Sequence, residues 1–311
     1  MRVLITGGNG FVGTHLTTEL RSRGADVVIA GRPSDDNHID MPLDLGDTGN
    51  VRAVVEAAGA SVIFHLAAQA FVPAATTDPL ATYDTNVIGT ARVIEAMRGL
   101  RGDAPAKLVY VSSGEVYGAD AGTIYPLRET APAHPATPYA ASKLAAETII
   151  AASAKTYGIS AVVARPFNHI GPGQSENFVV AAFARRLAGI AAGGAPLFPV
   201  GNLTSQRDFL DVRDVARAYA DLAERGVPGE IYNVCSGVPV RIQELLRQLV
   251  MAARVGVEIR EDPALVRAVE VPISYGDNAK LVAATGFRPT YTLAHSLRDI
   301  YAAARGEATR V

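Results

Sequence analysis

The stretch Thr6-Gly7-Gly8-Asn9-Gly10-Phe11-Val12-Gly13 sets Gly7, Gly10 and Gly13 at three-residue spacing, between an aliphatic run at Val3 to Ile5 and a helical pattern over Phe11 to Arg23. A strand that empties into such a turn, with a helix starting inside it, heads a βαβ unit. Glycines without a Cβ let backbone N–H groups approach a pyrophosphate, and the helix N-terminus adds its partial positive charge. The third glycine lets helix and sheet pack closely. Without strand and helix around it, a glycine triplet would be only a tight turn. In this context Gly7, Gly10, Phe11, Val12 and Gly13 point to a dinucleotide.

The rest of the first half repeats the alternation. Val27 to Ala30, Val62 to His65 and Leu108 to Val111 are apolar runs of the kind that parallel sheets bury on both faces. Val51 to Ala58, Pro79 to Arg98 and Pro138 to Tyr157 carry apolar residues at three- and four-residue intervals and read as helices. Strand and helix in alternation imply right-handed crossovers, hence an α/β fold with a doubly wound parallel sheet of Rossmann type. Ala161 to Ala164 reads as a further strand, after which Gly171-Pro172-Gly173, Gly193-Gly194 and Gly201-Asn202 break the chain into short pieces. The expected organisation is a dinucleotide-binding domain over 1–165, to which later segments return, and over 166–311 mainly a smaller mixed α/β C-terminal substrate lobe. Helices at Val212 to Glu224, Ile242 to Ala253 and Leu293 to Ala304, with a strand at Ile231 to Val234, are assigned to that lobe.

A chain of 311 residues with 49% apolar content can bury cores of this extent. Its 29 Lys and Arg against 31 Asp and Glu leave a charge of −2, so no bulk field attracts nucleic acid or an anionic membrane, and an anionic ligand must be bound locally. No window supplies the ~20 apolar residues of a membrane span. The N-terminus has no apolar signal core, so a cytoplasmic protein is expected. The single cysteine, Cys235, excludes an internal disulfide and any Cys-rich zinc site and reads as a packing residue; no metal is expected.

Readers of NAD commonly carry an acidic side chain ~20 residues beyond the glycines, on the ribose 2′-hydroxyl. Here the second strand ends Ile29-Ala30-Gly31-Arg32, with no carboxylate at the tip. A guanidinium at Arg32 pairs with a 2′-phosphate, which favours NADP (NADPH) over NAD. Asp35 and Asp36 nearby weaken that preference, and a solvated Arg32 is the alternative.

Tyr139-Ala140-Ala141-Ser142-Lys143 puts a phenol and an ammonium four residues apart, on one face of a helix. A neighbouring positive charge lowers a phenol toward the neutral range, so Lys143 is expected to activate Tyr139 for proton transfer. Ser113, in Val109-Tyr110-Val111-Ser112-Ser113-Gly114-Glu115-Val116-Tyr117-Gly118, follows a strand whose C-terminus is where open α/β sheets bind ligands. Its hydroxyl is placed to hold a substrate carbonyl while Tyr139 moves the proton.

With these residues in view, the chain resembles the extended short-chain dehydrogenase/reductases that act on nucleotide sugars. The resemblance rests on Thr6 to Gly13, Asp44-Leu45, His65 to Gln69, Asn86 to Thr90, Ser112 to Gly118, Tyr139 to Lys143 and Arg207-Asp208-Phe209 with Asp211 to Asp214. It implies that Ser113, Tyr139 and Lys143 are catalytic and that Lys143 also holds the nicotinamide ribose. It implies too that Asp44 and Leu45 border the adenine, that Leu66, Ala67 and Ala68 line the pyrophosphate and ribose, and that Asn86 is a buried structural amide. Arg165 to Ser175, Val200-Gly201-Asn202, Tyr232 to Gly237 and Glu270-Val271-Pro272 are similar to GDP-4-keto-6-deoxy-D-mannose reductases. That narrower resemblance places Ser113, Glu115, Asn168, Val179, Arg207, Arg267 and Glu270 on a GDP-linked 4-keto-6-deoxy sugar, although Ala268 stands where relatives carry proline after the arginine.

The implied reaction is reduction of the C4 ketone to GDP-D-rhamnose or to its C4 epimer GDP-6-deoxy-D-talose. The related GDP-mannose 4,6-dehydratases use a glutamate at the place of Glu115 as a second acid–base group, so dehydration is the rival chemistry, and a non-enzymatic NADP-binding sensor is a more distant one. A homodimer is implied by the resemblance alone.

Overall fold

The computed structural model describes residues 1–33, 38–100, 106–118, 123–266 and 271–307. Seven strands form the main sheet: β1 (Arg2–Thr6), β2 (Asp26–Gly31), β3 (Met41–Pro42), β4 (Val62–His65), β5 (Lys107–Val111), β6 (Ala161–Pro166) and β10 (Ile231–Val234). Their spatial order is β10-β6-β5-β4-β1-β2-β3, and every pairing is parallel. The order reverses on either side of β1, which opens a crevice above the strand C-termini.

Side chains leave β1 alternately. Val3 and Ile5 join one buried cluster, beneath α1 (Phe11–Ser22) and α8 (Val212–Arg225). Leu4 joins the other, with α2 (Thr48–Ala58), α5 (Gly89–Gly99) and α6 (Pro138–Tyr157). That two-sided burial is why these strands are apolar throughout. Helix ends follow local chemistry. The Thr137 hydroxyl accepts from Ala140 N–H ahead of Pro138, and Gly158 takes a left-handed φ of 70° where α6 stops.

Two expectations are corrected here. Ile231–Val234, assigned to the smaller lobe, pairs with β6 at the edge of the main sheet, and α8 likewise covers that sheet; these are the segments that return. The helix expected over Pro79 to Arg98 is interrupted. It comprises α4 (Pro79–Tyr83) and α5, separated by a π-helical turn at Asp84–Ile88 that carries Asn86. The side-chain amide of Asn86 has partners that are described below. A short helix, α3 (Val72–Thr77), precedes it.

The remaining elements build the smaller lobe around a third apolar cluster, including Phe183, Phe198, Phe209, Leu245 and Leu297. They are β7 (Asn168–Ile170), α7 (Val179–Ala191), β8 (Leu197–Val200), β9 (Gln206–Asp211), β11 (Pro239–Arg241), α9 (Ile242–Ala253), β12 (Glu258–Glu261), β13 (Ile273–Ser274), α10 (Ala279–Thr285) and α11 (Leu293–Ala304). Of these α10 packs back on the main core through Leu281. β9 is the hub, pairing with β7, β11 and β13.

Candidate active site

A cavity of about 960 Å3 runs from the glycine turn past the C-terminal ends of β4, β5 and β6 into the smaller lobe. Gly7 adopts a φ of 71°, and a Cβ there would lie 2.8 Å from the Ala67 nitrogen; a Cβ on Gly13 would collide with the Gly7 carbonyl. Both positions are therefore restricted to glycine, one by backbone conformation and both by space. The Asn9 amide adds a tie that the sequence reading missed, donating to the Arg32 carbonyl at 2.8 Å and lying where any side chain on Gly31 would go.

Gly7, Gly10, Phe11, Val12, Gly13, Arg32, Leu45, Leu66, Ala67 and Ala68 all line this cavity. Asp44 borders an adjoining hollow with Arg32, Leu43 and Asn50, and its carboxylate caps Gly46 N–H at 2.8 Å. Asp40, the nearest described carboxylate beyond β2, accepts from Ile29 N–H at 2.8 Å. Asp35 and Asp36 lie outside the described residues.

The catalytic candidates meet at the far side. Ser113 caps the short helical turn at Gly114–Tyr117 by accepting from Glu115 N–H at 3.1 Å, and its hydroxyl lies beside the buried Tyr139 phenol. The Lys143 ammonium, also buried, donates to the Val111 carbonyl at 2.8 Å and lies 5.1 Å from the centre of the Tyr110 ring. Burial, with the Glu115 charge second, pushes the Tyr139 phenol well above its usual range, and the Ser113 hydroxyl opposes them. This corrects the expectation that Lys143 lowers it: that ammonium is engaged by a carbonyl, and burial brings Lys143 itself down to about 8 against the opposing charge of Glu147.

Two supports complete the floor. His65 is held between the Thr6 hydroxyl at 2.7 Å and the Thr90 hydroxyl at 3.1 Å, and burial, then the Lys143 charge, pull it down to about 3, so it stays neutral. Asn86 accepts from Gln69 N–H at 2.8 Å and donates to the Gln69 carbonyl and the Ser142 hydroxyl at 3.0 and 2.9 Å, which makes it a structural amide.

Of the expected substrate contacts, Glu115, Asn168 and Arg207 line the cavity with Ser113. Val179 does not; at the start of α7 it packs against the third apolar cluster. Arg267 and Glu270 lie outside the described residues. The sequence reading also missed Phe71 and Phe178, whose rings meet edge-on at 6.4 Å across the cavity between the lobes. Nothing in their local patterns marks them, because each is a lone aromatic in a loop or at a helix start.

The glycine cradle, the crevice at the sheet's switch point and the acid–base groups opposite define a dinucleotide-dependent enzyme of the doubly wound α/β class. Comparison with known proteins makes this specific. Residues 3–235 match the NAD dependent epimerase/dehydratase family. The chain is 40% identical over 302 residues to the GDP-6-deoxy-D-mannose reductase of Pseudomonas aeruginosa, which covers 96% of this chain and 95% of that protein. It is 29% identical over 290 residues to the GDP-6-deoxy-D-talose 4-dehydrogenase of Aggregatibacter actinomycetemcomitans, over 92% of each. The structure of RMD from Pseudomonas aeruginosa complexed with NADPH superposes with a TM-score of 0.88 at 37% identity, over 98% of this chain and 99% of that one. The chain belongs to the NAD dependent epimerase/dehydratase family. Among the described residues no helix is long and apolar enough to cross a membrane.

Proposed function

We propose that the protein reduces the C4 ketone of GDP-4-dehydro-6-deoxy-D-mannose with NADPH. The carrying observation is that Ser113, Tyr139 and Lys143 line the same cavity as the glycine cradle. Ketone reduction asks the protein for a proton donor, and the Tyr139 phenol holds its proton at neutral pH. The cradle of Gly7, Gly10 and Gly13 would hold NADPH, which when bound would supply the hydride for the reduction. Ser113 holds the carbonyl oxygen by hydrogen bond, and Tyr139 Oη delivers the proton to that oxygen. Lys143, which lines the same cavity, would hold the ribose. Asn168 and Arg207 serve the sugar diphosphate, together with Arg267 and Glu270.

Arg32 supports NADPH over NADH, since it lines the groove at the tip of β2 while the Asp40 carboxylate is taken up by backbone. The similarity to a reductase and to a 4-dehydrogenase of GDP-6-deoxy sugars supports a GDP-linked substrate. A homodimer working in the cytoplasm accords with this reading.

The test is incubation with GDP-mannose, a GDP-mannose 4,6-dehydratase and NADPH, followed by NMR of the sugar. The expected result is a 6-deoxy sugar reduced at C4 with one NADPH consumed per product, and the C4 configuration follows from the same spectrum. Turnover of GDP-mannose by this protein alone, without net NADPH loss, would instead make Glu115 the second acid–base group of a dehydratase. Equal or better use of NADH would remove the role given to Arg32.

A further inference from the structure

Three consecutive residues at the end of β5 each face a residue on one stripe of α6. Val111 offers its carbonyl to the Lys143 ammonium, the Ser112 hydroxyl donates to the Glu147 carboxylate, and the Ser113 hydroxyl lies beside the Tyr139 phenol. Tyr139, Lys143 and Glu147 follow one another at four-residue intervals, so they stand one above another on the helix. The first two are the acid–base machinery of the proposed reaction. Glu147 takes no part in it.

A buried carboxylate is costly unless it is paired and hydrogen-bonded. Glu147, with its side chain only 6% exposed, is both. Arg165 on β6 grips it through Nη2–Oε2 at 2.6 Å and Nε–Oε1 at 3.0 Å, and the guanidinium lies 4.8 Å from the centre of the Tyr117 ring. The pair is anchored to the sheet, and Ser112 hangs from the pair.

Resting on the reductase reading above, we propose that Glu147 is a positioning residue. Through Ser112 it fixes the strand end that presents Val111 to Lys143 and Ser113 to Tyr139, and its charge keeps the Lys143 ammonium protonated in a buried site.

The surroundings of Lys143 give that charge its weight. Its own helix brings Tyr139 and Glu147, β5 brings the Tyr110 ring and β4 brings His65. Arg165 from β6 lies beyond Glu147, while Glu115 acts on Tyr139 and Tyr139 on Tyr219 of α8. Among the described residues Glu147 is the group whose charge opposes the loss of the Lys143 proton.

Glu147→Gln in the full-length enzyme tests the idea. Expected are a kcat lower by about tenfold with KM for both substrates within about twofold. The pH dependence of Lys143 acylation, followed by mass spectrometry, is expected to move down by about one unit. Acylation needs no substrate, so it judges the electrostatic half even where the keto-sugar is not turned over, and failure of the reductase reading shows separately as an inert wild type. Because Glu147→Gln leaves Arg165 without its counter-charge and can fail to fold, Ser112→Ala is the companion variant: it spares the ion pair and is expected to lower kcat severalfold with the acylation profile unchanged. A Glu147→Gln enzyme with the wild-type acylation profile overturns the proposal. So does a Ser112→Ala enzyme with wild-type kcat, because Glu147 would then serve only Arg165.

Discussion

Two strand-to-helix junctions bury charged side chains by opposite means. Where β9 runs into α8, Asp211 and Asp214 are saturated with donors. Asp214 accepts from Thr290 N–H and Tyr291 N–H at 3.0 Å and pairs with Arg217 at 2.7 Å. Burial acts to raise Asp211, but Arg213 and Ser296 outweigh it and hold that carboxyl below its ordinary value. Where the end of β5 faces α6, burial wins instead: Tyr139 is driven up, Lys143 down to about 8 and His65 down to about 3. The first junction keeps its charges by satisfying them and is scaffold. The second keeps Tyr139 and His65 in their neutral forms and brings Lys143 close to its titration point, so the phenol retains the proton it would donate.

The largest effect that could break this contrast is at Tyr139. Tyr139→Phe removes the proton donor and keeps the ring, so kcat should fall on the order of 1,000-fold, or about 4 kcal/mol in the barrier, with NADPH affinity and thermal stability near wild type. Turnover close to wild type would make another group the donor and leave the second junction with no catalytic meaning. At the first junction the outcome should be reversed. Asp214→Ala orphans two backbone N–H groups and takes away the counter-charge of Arg217, costing about 3 kcal/mol of stability in denaturant titration while the folded fraction keeps its kcat. An Asp214→Ala enzyme of wild-type stability but impaired turnover would erase the distinction.

The sequence speaks clearly where sterics leave one solution and weakly where geometry depends on partners. The glycine turn was legible because Gly7 and Gly13 admit no Cβ, and strands such as Val62–His65 because burial on both faces demands apolar runs. Ile231–Val234 was legible as a strand, but its own residues do not say which sheet it joins; β6 decides that. The helix α7 was passed over, since its alanine-rich stretch lies among glycine pairs that read as loop. At the site, a four-residue interval brought Lys143 near Tyr139 without revealing that the ammonium turns to the Val111 carbonyl, and so the direction of the phenol's shift was misjudged. Phe71 and Phe178 meet only through the docking of the two lobes, which no local pattern encodes.

The smallest effect sharpens the contrast through pH. His65 titrates at about 3 in the folded protein against 6.5 as its reference value, so between these limits the unfolded chain binds a proton that the folded one refuses. A depressed histidine therefore contributes stability that is present above pH 6.5 and lost as pH falls toward 3. From pH 7 to pH 5 that loss is about 2 kcal/mol. His65→Gln cannot take up this proton, so whatever stability it lacks relative to wild type at pH 7 should shrink by about that amount at pH 5 in paired denaturant titrations. Parallel pH dependence in the two proteins would mean that His65 carries no such linkage. The site floor beside β5 and α6 would then lose one of the groups that set it apart from the saturated carboxylates Asp211 and Asp214.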